Sequence, residues 1–122
     1  MCKSPDVVAV IDDDAFMLQA LKALLSANGY ATELYESAEA FLAAASACKA
    51  ICLVVDIQIG SACGIELKRR LSCAGFKFPV IFMTGSDDKA IHKRAIEAGC
   101  VAFLQKPFPA RQLVEALAKS RG

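Results

Sequence analysis

Four short apolar runs in this chain each stop at a polar side chain of a particular kind. Val7-Val8-Ala9-Val10-Ile11 ends at Asp12-Asp13-Asp14, and Ile51-Cys52-Leu53-Val54-Val55 ends at Asp56. Val80-Ile81-Phe82-Met83 ends at Thr84, and Val101-Ala102-Phe103-Leu104-Gln105 ends at Lys106-Pro107. Runs this short with little alternation read as strands covered on both faces, as in a parallel sheet. If all four belong to one such sheet, their ends lie on one edge. That edge then carries a carboxylate cluster, a hydroxyl and an ammonium. Such a set can bind a hard divalent ion and accept a phosphoryl group on a carboxylate.

Strand-like and helix-like stretches alternate five times, which predicts an α/β fold. The strands are expected near 7–11, 31–35, 51–55, 80–84 and 102–105, and the helices near 15–28, 38–47, 64–74, 87–98 and 110–119. In the first helix, Phe16, Ala20, Leu21, Leu24 and Leu25 form one apolar stripe at helical period. Asn28-Gly29, Gly75 and Gly99 mark helix ends. Ser86-Asp87-Asp88 supplies capping side chains and negative charge at the start of the fourth helix. Pro79 and Pro107 flank strands without entering them.

At 122 residues the chain is one domain with room for a core, and its 56% hydrophobic fraction fits a sheet buried on both sides. No apolar run approaches the roughly 20 residues that span a bilayer. Met1-Cys2-Lys3-Ser4-Pro5-Asp6 leads straight into a strand and does not read as a signal peptide, so a cytoplasmic location is expected, with no membrane contact. A net charge of +1 with interspersed signs argues against this domain gripping nucleic acid directly. Its densest basic run, Lys68-Arg69-Arg70, reads as the solvated face of a helix. The six cysteines, Cys2, Cys48, Cys52, Cys63, Cys73 and Cys100, form no Cys-x-x-Cys pair, and His92 is the only histidine. Zinc ligands would be grouped more tightly. Cys52 is expected to be a small buried hydrophobe, and Cys48 and Cys63 to be accessible to oxidants.

Packed carboxylates repel one another, and a magnesium ion relieves that repulsion with oxygen ligands and retained waters. Helix capping accounts for Asp14 alone, but leaves two further acids at the end of a buried strand. Taken together and in order, these motifs resemble the receiver domain of two-component response regulators, from about Val7 to Lys119. The resemblance implies a flavodoxin-like (βα)5 domain, its five parallel strands in the order 2-1-3-4-5 with helices on both faces. The ligand site then lies at the carboxyl ends of the strands, beside the switch between the first and third.

The same resemblance implies the residue roles. Asp56 is the phosphoacceptor, and Asp13 and Asp56 bind Mg2+ directly. Asp12 binds it through water, and the Gln58 backbone carbonyl is a further ligand. Lys106 pairs with Asp56 and, with Thr84, holds the phosphoryl oxygens. The Lys106–Pro107 peptide is expected to be cis. Phe103 is either the aromatic that turns inward behind Thr84 or a plain core phenylalanine.

The implied function is a signalling switch in a phosphorelay. It takes a phosphoryl group from a sensor histidine kinase and alters the 87–119 face, with homodimerisation through that face. It is no enzyme beyond self-phosphorylation and weak autophosphatase chemistry. Gln58 and Ser86 flank the expected path of hydrolytic water, and a small Ser86 predicts a phosphoryl lifetime of minutes or less.

Two departures stand out. Receivers usually carry Met-Pro where this chain has Ile59-Gly60, which predicts a looser loop and weaker magnesium binding. Leu18 stands where close relatives often have arginine. Ser37-Ala38-Glu39-Ala40-Phe41-Leu42 and Phe103-Leu104-Gln105-Lys106-Pro107-Phe108 look most like nitrogen-fixation-type regulators. That group usually carries a C-terminal helix-turn-helix domain implicated in transcription. Residues 1–122 are expected to hold the receiver alone, as a free-standing domain or a piece of a longer chain.

Other readings remain open. Asp12-x-Asp14 also resembles the nucleophile motif of haloacid-dehalogenase-type phosphatases, but no aspartate follows Asp88 to complete their metal pair. A flavodoxin-like cofactor binder would not place three acids at its phosphate loop. A receiver-like module that binds partners without phosphorylation is the third alternative.

Overall fold

The computed structural model describes residues 5–120; Cys2 lies outside them. Seven strands and five α-helices follow in order: β1 (Val7–Ile11), α1 (Ala15–Ala27), β2 (Ala31–Tyr35), α2 (Ala38–Ala44), β3 (Cys52–Asp56), β4 (Gln58–Ile59), β5 (Ala62–Cys63), α3 (Gly64–Cys73), β6 (Val80–Thr84), α4 (Lys89–Glu97), β7 (Ala102–Gln105) and α5 (Ala110–Ser120). A 3-10 turn, Ala45–Ala47, extends α2. Five strands form one sheet in the order β2-β1-β3-β6-β7, and all four pairings are parallel. With β4 and β5 set aside, this is the expected order.

Alternation along the central strands splits the core into two layers. Ala9, Ile11, Leu53, Val55 and Phe82 face α2, α3 and α4 through Phe41, Leu67, Leu71 and Ala95. Val8, Val10, Val54, Ile81 and Met83 face α1 and α5 through Leu18, Leu21, Leu25, Leu113 and Leu117. Strands covered on both sides need no polar face, which is why their sequences lack strict alternation. No helix among the described residues is long and apolar enough to cross a membrane.

The stripe expected on α1 is rotated. Phe16 is 89% exposed, whereas Leu18, Leu21 and Leu25 are buried. Those leucines recur at i, i+3 and i+7, and Phe16 precedes Leu18 by about 200° of helical rotation. Leu18, at the position where relatives often have arginine, is therefore a core residue. Asp14 caps α1 as expected, its carboxylate accepting from the N–H groups of Phe16 and Met17.

The loop after β3 contains regular pairing. Gln58–Ile59 and Ala62–Cys63 pair antiparallel in a small hairpin. Gly60 sits at its turn with φ +62°, a left-handed conformation closed to proline. The Gly60 N–H donates to Asp13 Oδ2 at 2.9 Å. Hairpin pairing and this bond tie the loop to the end of β1.

Gly64 closes the loop. Its N–H donates to the Ile57 carbonyl at 2.7 Å, and a Cβ there would collide with the Asp56 carbonyl oxygen and lie 2.8 Å from Val55 Cγ1. Gly64→Ala is therefore expected to lower unfolding stability by about 1–3 kcal/mol, the usual range for overpacking. Urea denaturation would measure it, and an unchanged midpoint would contradict this packing.

Candidate functional site

The carboxyl ends of β1, β3, β6 and β7 meet in a cleft of about 380 Å³. It is lined by Asp12, Asp13, Asp14, Asp56, Gln58, Gly60, Gly85 and Lys106. The sheet register explains the convergence. Ile11 pairs with Val55, Asp56 with Met83, and Thr84 with Gln105, so the residues that end these strands arrive at the same height.

Lys106 joins the two buried acids. Its Nζ lies 2.6 Å from Asp56 Oδ2 and 3.1 Å from Asp12 Oδ2. The Lys106–Pro107 peptide is cis, as the resemblance implied. The second oxygen of each acid binds backbone: Gln58 N–H donates to Asp56 Oδ1 at 2.8 Å, and Asp14 N–H donates to Asp12 Oδ1 at 3.0 Å. Among the described residues, no buried side-chain nitrogen or oxygen lacks a hydrogen-bond partner.

Burial is the main force on Asp12 and raises its pKa above the ordinary carboxyl value. The Asp14 N–H and the Lys106 charge oppose that rise, and the neighbouring Asp56 adds to it. Lys106 behaves differently. Burial works against its charge, but the bond and charge of Asp56, helped by Asp12, outweigh burial and raise its pKa.

Asp13 is more exposed, at the rim, and is turned toward the hairpin by Gly60. Thr84 is buried, with its Oγ1 accepting the Ser86 N–H at 3.0 Å. Phe103 is half-buried on β7 and lies opposite Phe82. The structure thus gathers Asp12, Asp13, Asp56, Gln58 and Lys106 around one cleft, with Thr84 ending the neighbouring strand and Phe103 further back on β7.

Asp13 and Asp56 bring carboxylate oxygens to the cleft, a donor type that suits magnesium. Among the described residues, no three acidic, histidine or cysteine side chains form a ready cage for a metal. Magnesium does not require one, since it commonly uses one or two carboxylates and keeps several waters.

Sequence reasoning missed three contacts. The Gly60–Asp13 bond could have been suspected, because glycine in place of proline frees an N–H. The Gln58 N–H bond to Asp56 depends on the hairpin. The third is at His92, whose Nε2 is 2.8 Å from the Ser86 carbonyl oxygen and whose ring is 4.6 Å from that of Phe103. Nothing in the spacing of one histidine points to either partner.

Among the described residues, no cysteine lines the cleft. Cys52 is fully buried, and burial pushes its thiol up to about 11. Cys48 and Cys63 are only half-buried, and burial also raises the Cys48 thiol. Arg69 and Arg70 are exposed on α3, where Arg69 pairs with Glu66.

Residues 8–118 match the response regulator receiver domain family. The regulator FixJ of Bradyrhizobium diazoefficiens is 39% identical over 101 residues, covering 83% of this chain and 49% of its own length. The response regulator TodT of Pseudomonas putida is 32% identical over 117 residues, 96% of this chain and 52% of its own. The chain spans about half the length of these curated relatives. Among solved structures, the crystal structure of FixJ-N superposes with a TM-score of 0.87 at 33% identity. That match covers 98% of this chain and 94% of the other.

Because the pKa of Lys106 is raised by folding, the stability it contributes is complete below the ordinary lysine value near 10.4. It is lost as pH rises through the higher folded value. The urea midpoint of the native chain should exceed that of Lys106→Met at neutral pH, with the gap closing above about pH 10.4. A gap that stays constant to high pH would contradict the charge pairing.

Proposed function

The chain belongs to the response regulator receiver family, and on that footing we propose that Asp56 is its phosphoacceptor. The observation that carries the proposal is the Lys106 ammonium 2.6 Å from Asp56 Oδ2 at the end of a buried strand. An Asp56 carboxylate oxygen attacks the phosphorus of a phosphohistidine on a sensor histidine kinase. The new P–O bond forms as the P–N bond breaks, and the imidazole leaves with the bonding pair. Charge on the transferred group is the main obstacle, so catalysis rests on positioning and neutralisation.

Lys106 moves its charge from the carboxylate to a phosphoryl oxygen, and the Thr84 hydroxyl donates to another. Asp13, Asp56 and the Gln58 carbonyl would hold Mg2+, with Asp12 acting through water. The bound ion would supply further neutralisation of the phosphoryl oxygens. Asp12, carrying a raised pKa from burial, relies on Lys106 and Asp14 to stay charged. Gln58 and Ser86 leave a path for hydrolytic water, which gives the domain its weak autophosphatase activity and makes it a timed switch.

The output is a change in the 87–119 face, which comprises α4, β7 and α5. Drawing Thr84 toward the phosphoryl group opens space behind it for Phe103 to turn into. Phosphorylation then shifts the balance between two arrangements of that face. Ile96 on α4 is 65% exposed and offers an apolar contact for homodimerisation. In a longer protein, this face would pass the signal to an output domain of the kind carried by transcriptional relatives such as FixJ. A cytoplasmic setting fits this role.

Incubation with acetyl phosphate and Mg2+ should raise the intact mass by one phosphoryl group, about 80 Da. The gain should vanish in Asp56→Asn and decay within minutes once donor is removed. No gain in the native chain would favour the phosphorylation-independent binding reading, and a lifetime of many hours would contradict the open water path. For the dimer, sedimentation should show a shift toward twice the mass with beryllofluoride and Mg2+. Ile96→Lys should abolish that shift, and an unchanged shift would place the dimer contact elsewhere.

A further inference from the structure

His92 touches both moving parts of the proposed switch, and neither contact is needed for phosphoryl transfer itself. The residue is half-buried in the second turn of α4, with its backbone N–H bonded to the Asp88 carbonyl at 3.1 Å. Its Nε2 lies 2.8 Å from the Ser86 carbonyl oxygen. A carbonyl only accepts, so Nε2 carries the proton and donates. The other side of the ring meets Phe103, with centroids 4.6 Å apart and planes tilted by 55°.

Ser86 is held by every polar group it has. Its N–H donates to Thr84 Oγ1 at 3.0 Å, its Oγ accepts the Asp88 N–H at 3.1 Å, and its carbonyl accepts from His92. Thr84 cannot swing its hydroxyl toward Asp56 without giving up the Ser86 N–H. That releases the Ser86 amide while His92 still grips the carbonyl. If Phe103 turns inward, it leaves the imidazole face. Movement of Thr84 breaks a bond to the residue that His92 holds, and movement of Phe103 breaks its ring contact with His92, so one side chain touches both motions.

We propose that His92 is a positioning residue, a latch that holds the Thr84 loop and the Phe103 ring together in the resting arrangement. This rests on the receiver switch described above. It goes further by assigning to one residue the bias that keeps the unphosphorylated domain off. Removing the latch raises the fraction of molecules in the phosphoryl-competent arrangement. Apparent affinity for a phosphoryl mimic rises by the same factor, because it scales with the competent fraction.

The test is a titration of the full chain with beryllofluoride in saturating Mg2+, followed by amide proton and nitrogen shifts at Thr84, Ala102 and Phe103. Relative to the native chain, His92→Ala should bind the mimic about fivefold more tightly, the equilibrium factor of one ordinary hydrogen bond. Its mimic-free shifts should lie displaced along the line joining the free and loaded native positions. His92→Gln, which can still donate to the Ser86 carbonyl but lacks the ring, should fall between the two. A merely structural role would lower the melting temperature of both variants without moving shifts along that line.

Unchanged or weaker mimic affinity in both variants, beside a native chain that responds normally, would overturn the latch alone. A native chain whose shifts do not respond to the mimic would overturn the switch reading and the latch with it. Should His92→Ala fail to fold, the His92→Gln titration decides by the same criteria.

Discussion

One ammonium makes the acidic edge of this sheet tolerable. Lys106 Nζ is 2.6 Å from Asp56 and 3.1 Å from Asp12, two acids that are almost entirely removed from water. Unpaired, Asp12 would be pushed further toward its neutral form by burial and by the charge of Asp56. The Lys106 charge opposes that push on Asp12, and the same ammonium holds an Asp56 oxygen in the cleft. The requirement propagates outward. Lys106 must leave β7 in the right direction, β7 must lie beside β6, and β3 must lie between β6 and β1. The strand order is thus the condition for the site.

Much of this was legible in the chain. The apolar runs of β1, β3, β6 and β7 are short, the first three are rich in β-branched residues, and each stops at its polar residue within a position or so of the strand end. Because parallel strands share an edge, the residues ending β1, β3 and β7 were enough to place Asp12, Asp56 and Lys106 in one cleft. The order of the strands was not readable from periodicity, since any arrangement of buried strands looks alike locally. It came from the resemblance, and the register confirms it. Leu18, Leu21 and Leu25 also carry the inward period of α1, but the conspicuous Phe16 drew the predicted stripe to the wrong angle.

What the sequence hid depends on loops, where one backbone angle decides which group points where. Gly60 looked like the loss of a constraint. In the structure its left-handed turn makes a hairpin and aims its N–H at Asp13. His92 looked like an isolated histidine on a helix. Its two partners lie six and eleven residues away along the chain, brought together only when α4 packs against β7. Both are contacts between a loop or helix end and the site.

The central claim is that Asp56 takes the phosphoryl group. The most direct measurement is to trap the protein after acetyl phosphate and Mg2+ with borohydride, which reduces an acyl phosphate to the alcohol, and then locate the reduced residue by peptide sequencing in the mass spectrometer. The account predicts conversion of Asp56 to homoserine and of no other residue. Conversion at Asp12 would contradict it and point to hydrolase-like chemistry at the end of β1, and an absence of any reduced aspartate would remove the acyl phosphate altogether.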